Sequence, residues 1–144
     1  MAPVKRYGPG DRLHVQAQRI WLILVAHVMH SEREALDPAT LRYGDVATAM
    51  GYKDRRAGHM LGRQLGIIAK FCVDNDLPPL NSIVVNQDTG LPGDHVMLRP
   101  GRSLEEEQAA VMKQDWFQIR VPTTGTFRQV WASWDDDEAE VDDE

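Results

Sequence analysis

Between Arg42 and Lys70 the chain carries six bases, Arg42, Lys53, Arg55, Arg56, Arg63 and Lys70. Only Asp45 and Asp54 oppose them, which leaves +4 over 29 residues. Such a cluster attracts a phosphate backbone by neutralising its charges and releasing counterions. Backbone N–H groups at a helix start near Ala57 would add to that attraction. The expected contacts are Arg55, Arg56, His59 and Arg63, with Arg42, Lys53 and Lys70 contributing charge. His59 and Arg63 are four apart, so they share one face of a helix. The plain alternative is a solvated basic face with no ligand.

Other spacings point to less. His27 and His30 are three apart, with Glu34 four further on. Metal sites use such spacing, but no Cys or Asp cluster supports this pair, so no metal is expected. Gly58, Gly62 and Gly66 recur every four residues. They do not form a phosphate-cradling loop. They read as places where missing side chains let backbones approach closely. Cys72 is the single cysteine and cannot form an internal disulfide. It falls on the apolar face of a helix, where a thiol without a basic neighbour is inert. No local Ser-His-Asp or Cys-His arrangement suggests nucleophilic catalysis. The reading is a non-enzymatic protein without cofactors.

The elements that must position the basic cluster are legible as patterns. Val15 to His30 lacks Gly and Pro and is apolar on most faces, which predicts a buried helix. Tyr43 to Met50 is a short helix, stopped by Gly51. Lys53 to Arg56 is a charged turn. Ala57 to about Asp74 is a longer helix, with Met60, Leu61, Leu65, Ile68, Ala69 and Cys72 facing inward at spacings of three and four. Leu77-Pro78-Pro79-Leu80 cannot continue it. Ile83-Val84-Val85 is β-branched, a turn follows at Gln87–Gly90, and His95 to Leu98 is a candidate returning strand. Residues 82–98 therefore predict a β-hairpin. Ser103 and Glu106 have capping-box spacing and open a helix to about Asp115. A last helix is expected over Thr124 to Trp134. The order is that of a winged helix-turn-helix, in which the second helix enters the DNA major groove and the Ile83–Leu98 hairpin is the wing.

The stretches YGDVATAMG at 43–51 and AGHMLGRQLG at 57–66 resemble the winged-helix DNA-binding domain of the DNA alkyltransferases and alkyltransferase-like proteins. Tyr43, Gly44, Asp45, Val46, Ala47 and Gly51 match the family's first motif. Ala57, Leu61, Gly62 and Leu65 fit the start of its recognition helix. LPPLNSIVVNQDTGLPG at 77–93 echoes its Leu-Pro stretch, Val-Val strand and Asp-X-Gly turn. The resemblance covers roughly a third of the chain and implies duplex-DNA binding. Where the family carries its Pro-Cys-His-Arg alkyl acceptor, this chain has Leu80, Asn81, Ser82 and Ile83. The resemblance therefore does not extend to alkyl transfer. His59 stands at the place of the Arg that the family inserts into the duplex.

The 144 residues correspond to one domain. Eight of the 22 acids lie in the last ten residues: Asp135, Asp136, Asp137, Glu138, Glu140, Asp142, Asp143 and Glu144. The remaining 14 acids face 16 Lys and Arg, so the body is near +2 although the whole chain is −6. A block of like charges repels itself and stays solvated. The organisation reads as a flexible basic arm at 1–12, a winged-helix-like α+β domain at 13–134, and a disordered acidic tail at 135–144. The most apolar run, Ile20 to Met29, is half the length a bilayer demands. A soluble, cytoplasmic protein without a membrane partner is expected. Trp116, Phe117, Trp131 and Trp134 read as a cap on the open side of the core, with Trp134 the candidate for exposure. The leading functional reading is a duplex-DNA-binding module. The alternative is a protein-interaction module that uses the acidic tail and these aromatics against a basic partner.

Overall fold

The apolar run behind Arg12 forms helix α1 (Leu13–His30). Ala17, Ile20, Leu24 and Val28 are fully buried along it, and Trp21 nearly so. This is the computed structural model of the chain; it describes residues 2–31, 38–93 and 95–142, with side chains as far as Trp134. After α1 come β1 (Leu41–Arg42), α2 (Tyr43–Ala49), α3 (Gly62–Asp74), β2 (Val84–Val85), α4 (Leu104–Lys113) and α5 (Thr124–Asp142). Short 3-10 turns lie at Arg55–Met60, Leu80–Ile83 and Trp116–Gln118. The architecture is mostly helical with a small sheet. No helix among the described residues is long and apolar enough to cross a membrane.

Helices α1, α3 and α5 pack on one another and hold the core. At its centre the Trp21 ring meets Phe71 and Trp116 edge-on, each at 5.6 Å between centroids. Phe127 of α5 closes the group, edge-on to Phe71 at 5.7 Å. Edge-to-face pairs of this kind add roughly 0.5–1.5 kcal/mol each beyond the area they bury.

Helix α2 ends as its sequence demands. Gly51 takes φ +92°, a conformation that favours glycine, and its N–H donates to the Thr48 carbonyl at 3.0 Å. The following helix differs from the expectation of one continuous element over Ala57–Asp74. Asp54 accepts from the Arg56 N–H at 2.9 Å and starts a separate 3-10 segment, Arg55–Met60. The chain then turns at Leu61 and begins α3. A 3-10 segment has fewer residues per turn than an α-helix, so it changes which side chains face inward. Met60, expected in the core, is 73% exposed, while Leu61 is buried.

The expected hairpin over 82–98 is not formed, and His95–Leu98 makes no strand. Val84–Val85 instead pairs with Leu41–Arg42, in parallel, with Leu41 opposite Val84 and Arg42 opposite Val85. Residues 86–91 close into a tight loop through the Asn86 N–H to the Leu91 carbonyl at 2.9 Å. The segment after it is held by side-chain contacts instead of a ladder. The Gly93 N–H donates to the Tyr43 hydroxyl at 2.8 Å, and His95 rests against Gly62.

Helix α4 opens with the predicted capping box, the Glu106 N–H donating to Ser103 Oγ and the Ser103 N–H to Glu106 Oε1. On the same helix Glu107 has no solvent exposure. Arg99 compensates it, donating from its backbone N–H at 2.9 Å and from Nη2 at 2.8 Å. Arg99 Nη1 also donates to the carbonyl of Asp76, which takes a left-handed φ of 54° just beyond α3.

Two further expectations change. Trp116 is buried, Trp131 and Trp134 are half-buried, and the exposed aromatic is Phe117, at 69%. The arm is partly tied down. Tyr7 donates to Gln18 Oε1 at 2.7 Å and lies under the Arg19 guanidinium. The helical backbone of α5 is described to Asp142, and the expectation of a disordered acidic tail over 135–144 falls on residues that are not fully described. The side chains of 135–144 lie outside the described residues.

Candidate nucleic-acid interface

The parallel register builds the site. With Arg42 opposite Val85, the next residues, Tyr43 and Asn86, leave the strand ends side by side. Helix α2 begins at Tyr43, so its first turn faces the 86–91 loop. The 3-10 segment Arg55–Met60 packs across α2 because Gly58 carries no side chain. A Cβ there would sit 2.6 Å from the Tyr43 carbonyl carbon.

These three pieces enclose two adjoining hollows. The first, about 160 Å³, is lined by Arg42, Arg55, Arg56, His59, Asn86 and Gln87 over a floor of Tyr43, Gly44 and Gly58. The second, about 270 Å³, shares Tyr43, Gly58, His59 and Asn86 with the first and extends to Gly93 and His95. His59 and Asn86 thus stand between a basic end and a more neutral one.

Asp45 and Asp54 order the basic end. Arg55 Nη2 reaches Asp45 Oδ1 at 2.9 Å, and the Arg42 N–H donates to Asp45 Oδ2 at 3.1 Å. Partial burial would raise the Asp45 carboxyl, but the Arg55 and Arg42 hydrogen bonds outweigh it and hold it below its ordinary value. Arg56 chelates Asp54 through Nε and Nη2, which lowers the Asp54 carboxyl in turn. Both pairs are largely solvent-exposed, so each holds its guanidinium only weakly against a competing phosphate. Two carboxylates cannot neutralise Arg42, Lys53, Arg55 and Arg56 together, and the surface remains net positive.

Of the seven residues singled out by sequence, the structure brings four together: Arg42, Arg55, Arg56 and His59. Lys53 is exposed on the turn before Arg55. Arg63 lies in the first turn of α3, its guanidinium 5.9 Å from the Trp131 ring. Lys70 is separated from the hollows. It sits two turns further along α3 and pairs with Asp74 at 3.2 Å. The register also adds residues that charge counting missed, Asn86, Gln87 and His95. Their sequence signal was only a polar turn behind a β-branched run, with nothing to say which element it would face.

The remaining candidates resolve simply. Cys72 is fully buried, and burial pushes its thiol up to about 12. Leu80 to Ile83 form a buried 3-10 turn. His27 is occupied with the Ala39 carbonyl at 3.1 Å, and Glu34 lies outside the described residues. No group of three or more His, Cys, Asp or Glu among the described residues could hold a metal ion. No protein-family model, curated protein or solved structure matches the chain.

Proposed function

We propose that the protein is a non-enzymatic duplex-DNA-binding module on a winged-helix-like scaffold, similar to alkyltransferase-like proteins but without an alkyl-acceptor thiol. The observation that carries this reading is the convergence of Arg42, Arg55, Arg56 and His59 on one hollow with the amides of Asn86 and Gln87. Guanidinium groups hold phosphates bidentately, and amide side chains pair with base edges. This reading takes helix α2, the 3-10 turn and α3 as the helix-turn-helix and the 86–93 loop as the counterpart of the wing. Alkyl-acceptor chemistry has no place in this reading, because the single thiol is buried and protonated.

The test is fluorescence anisotropy of a labelled duplex titrated with the full chain across a salt series. Binding should weaken with salt, with a log–log slope near −0.9 for each phosphate neutralised. The double variant Arg42→Ala, Arg56→Ala should lower affinity for all sequences and make the slope shallower by about 1.8. No binding at low salt would discard the reading. It would favour instead a protein-interaction module working through Phe117 and Val121, which are 69% and 44% exposed.

A further inference from the structure

Two imidazoles meet at the second hollow. His59 reaches it from the 3-10 segment, and His95 from the chain beyond the 86–91 loop, with Tyr43 and Asn86 beside them. His59 is exposed and His95 half-buried. His95 rests against Gly62, where any side chain would take its place. Neither ring has a hydrogen-bond or ion-pair partner among the described residues. His27, by contrast, is held by the Ala39 carbonyl. The hollow these two rings share, about 270 Å³, has room for a polyatomic anion.

The two hollows differ in how their charge is set. Arg42, Arg55 and Arg56 line the first and stay positive at any working pH. Among the described residues, no Lys, Arg, Asp or Glu lines the second. Its own charge therefore depends on imidazole, the side chain that changes charge between pH 5 and 8. On the elements around the pair, Asp45 is held by Arg55 and Asp54 by Arg56. Lys53 and Arg63 add positive charge, and Asp88 is exposed on the 86–91 loop. Asp94, next to His95 in the chain, lies outside the described residues. A neutral imidazole offers one donor and one lone pair, whereas an imidazolium donates from both nitrogens. Phosphate oxygens accept such bonds, and their negative charge favours the protonated ring.

We infer that His59 and His95 make the second hollow a proton-coupled phosphate site, which takes up a phosphate group together with one or two protons. The group is a phosphate of a nucleic-acid backbone or a free phosphate, since both present the same oxygens. Its use on a nucleic acid rests on the duplex-binding reading above; the phosphate chemistry does not. By linkage, each proton taken up makes binding about tenfold tighter per pH unit lowered. The arginines of the first hollow give no such dependence, because their charge does not change.

The test uses the full chain at constant ionic strength, at about pH 6 and about pH 8, where carboxylates stay ionised. In one arm inorganic phosphate is titrated while the histidine ring resonances are followed. Phosphate should shift the rings of His59 and His95 and bind about tenfold tighter or more at the lower pH. Its own loss of charge on acidification acts in the opposite direction. In the other arm the anisotropy assay with duplex should show a gain of the same size. The double variant His59→Gln, His95→Gln should remove most of the pH difference, whereas Arg42→Ala, Arg56→Ala should weaken duplex binding at both pH values and keep it. The ring resonances of the unmodified chain read the site however the variants fold. A pH difference in the duplex arm assigns the group to the nucleic-acid backbone. Phosphate binding that strengthens at the lower pH, with no duplex binding at low salt, would sink the nucleic-acid reading and leave a site for a free phosphate. No pH difference in either arm, or one that the histidine variant keeps, would overturn the inference.

Discussion

Glu107 sits without solvent exposure in the first turn of α4, where Glu105 and Glu106 beside it face outward. Burial raises its carboxyl, but the hydrogen bonds and charge of Arg99 prevail, with Arg102 adding to them, and the group is held below its ordinary value. A carboxylate with a depressed folded value contributes stability above its unfolded value and loses it as pH falls. This contribution should be full above about pH 4.5 and disappear as the solution passes below the folded value. Glu107→Gln should cost about 3 kcal/mol in urea unfolding at neutral pH, because it leaves the Arg99 charge buried without its partner. It should also flatten the acid limb of the stability profile. An acid limb unchanged by the substitution would show that other carboxylates set it. The Cys72 thiol offers a second residue-scale check. A disulfide reagent at pH 8 should label it only as fast as the chain unfolds, since the folded site is closed and the thiol protonated. Rapid labelling of the native protein would contradict its placement. The inertness of Cys72 was legible in its apolar helical spacing. The burial of Glu107 was not, because three consecutive acids after a capping serine read as a solvated first turn.

At the scale of elements, local chemistry was read well where neighbours in sequence are neighbours in space. The Ser103–Glu106 box forms as its spacing requires, and Ser103→Ala should lower stability by about 1 kcal/mol in thermal or urea unfolding. The stop at Gly51 is of the same kind. The break between the 3-10 segment and α3 is different. It depends on Gly58 lying against the backbone of Tyr43, fifteen residues earlier in the chain. Gly58→Ala should destabilise the fold by about 1–3 kcal/mol, since the added methyl meets rigid backbone. It should also weaken duplex binding more than its stability loss explains, by moving His59 away from Tyr43 and Asn86. A variant with native stability and affinity would show that the close approach is not needed. Amphipathic spacing also understated the burial of α3. Gln64, Gly66 and Ile67 lie off the stripe formed by Leu65, Ile68 and Cys72, yet all are buried. Trp134 of helix α5 covers Gly66 and Gln16 of α1 meets Gln64, and neither arrival could be read from α3 itself.

For the whole molecule, the mapped charge matters more than the total. A chain of −6 presents a basic surface because eight of its 22 acids are collected beyond Trp134 and only Asp45 and Asp54 lie among the bases between Arg42 and Lys70. Phe117 lies on the surface apart from the buried aromatic group, so Phe117→Ser should change stability by less than about 0.5 kcal/mol and leave duplex affinity intact. A large loss of affinity would move the interface toward the C-terminal aromatics. Sequence alone determined α1, α2 and its glycine stop, the capped α4, the buried thiol and the basic cluster. Each of these depends on periodicity, capping or composition within a few residues. Only the tertiary structure decided that Val84–Val85 joins Leu41–Arg42 in parallel, and therefore that Asn86 stands beside Tyr43. It also decided that Lys70 lies apart from the arginines and that Arg99 neutralises Glu107. These outcomes depend on contacts between residues remote in sequence, where hydrogen bonding, charge pairing and exclusion of water act through space and leave no local pattern in the chain.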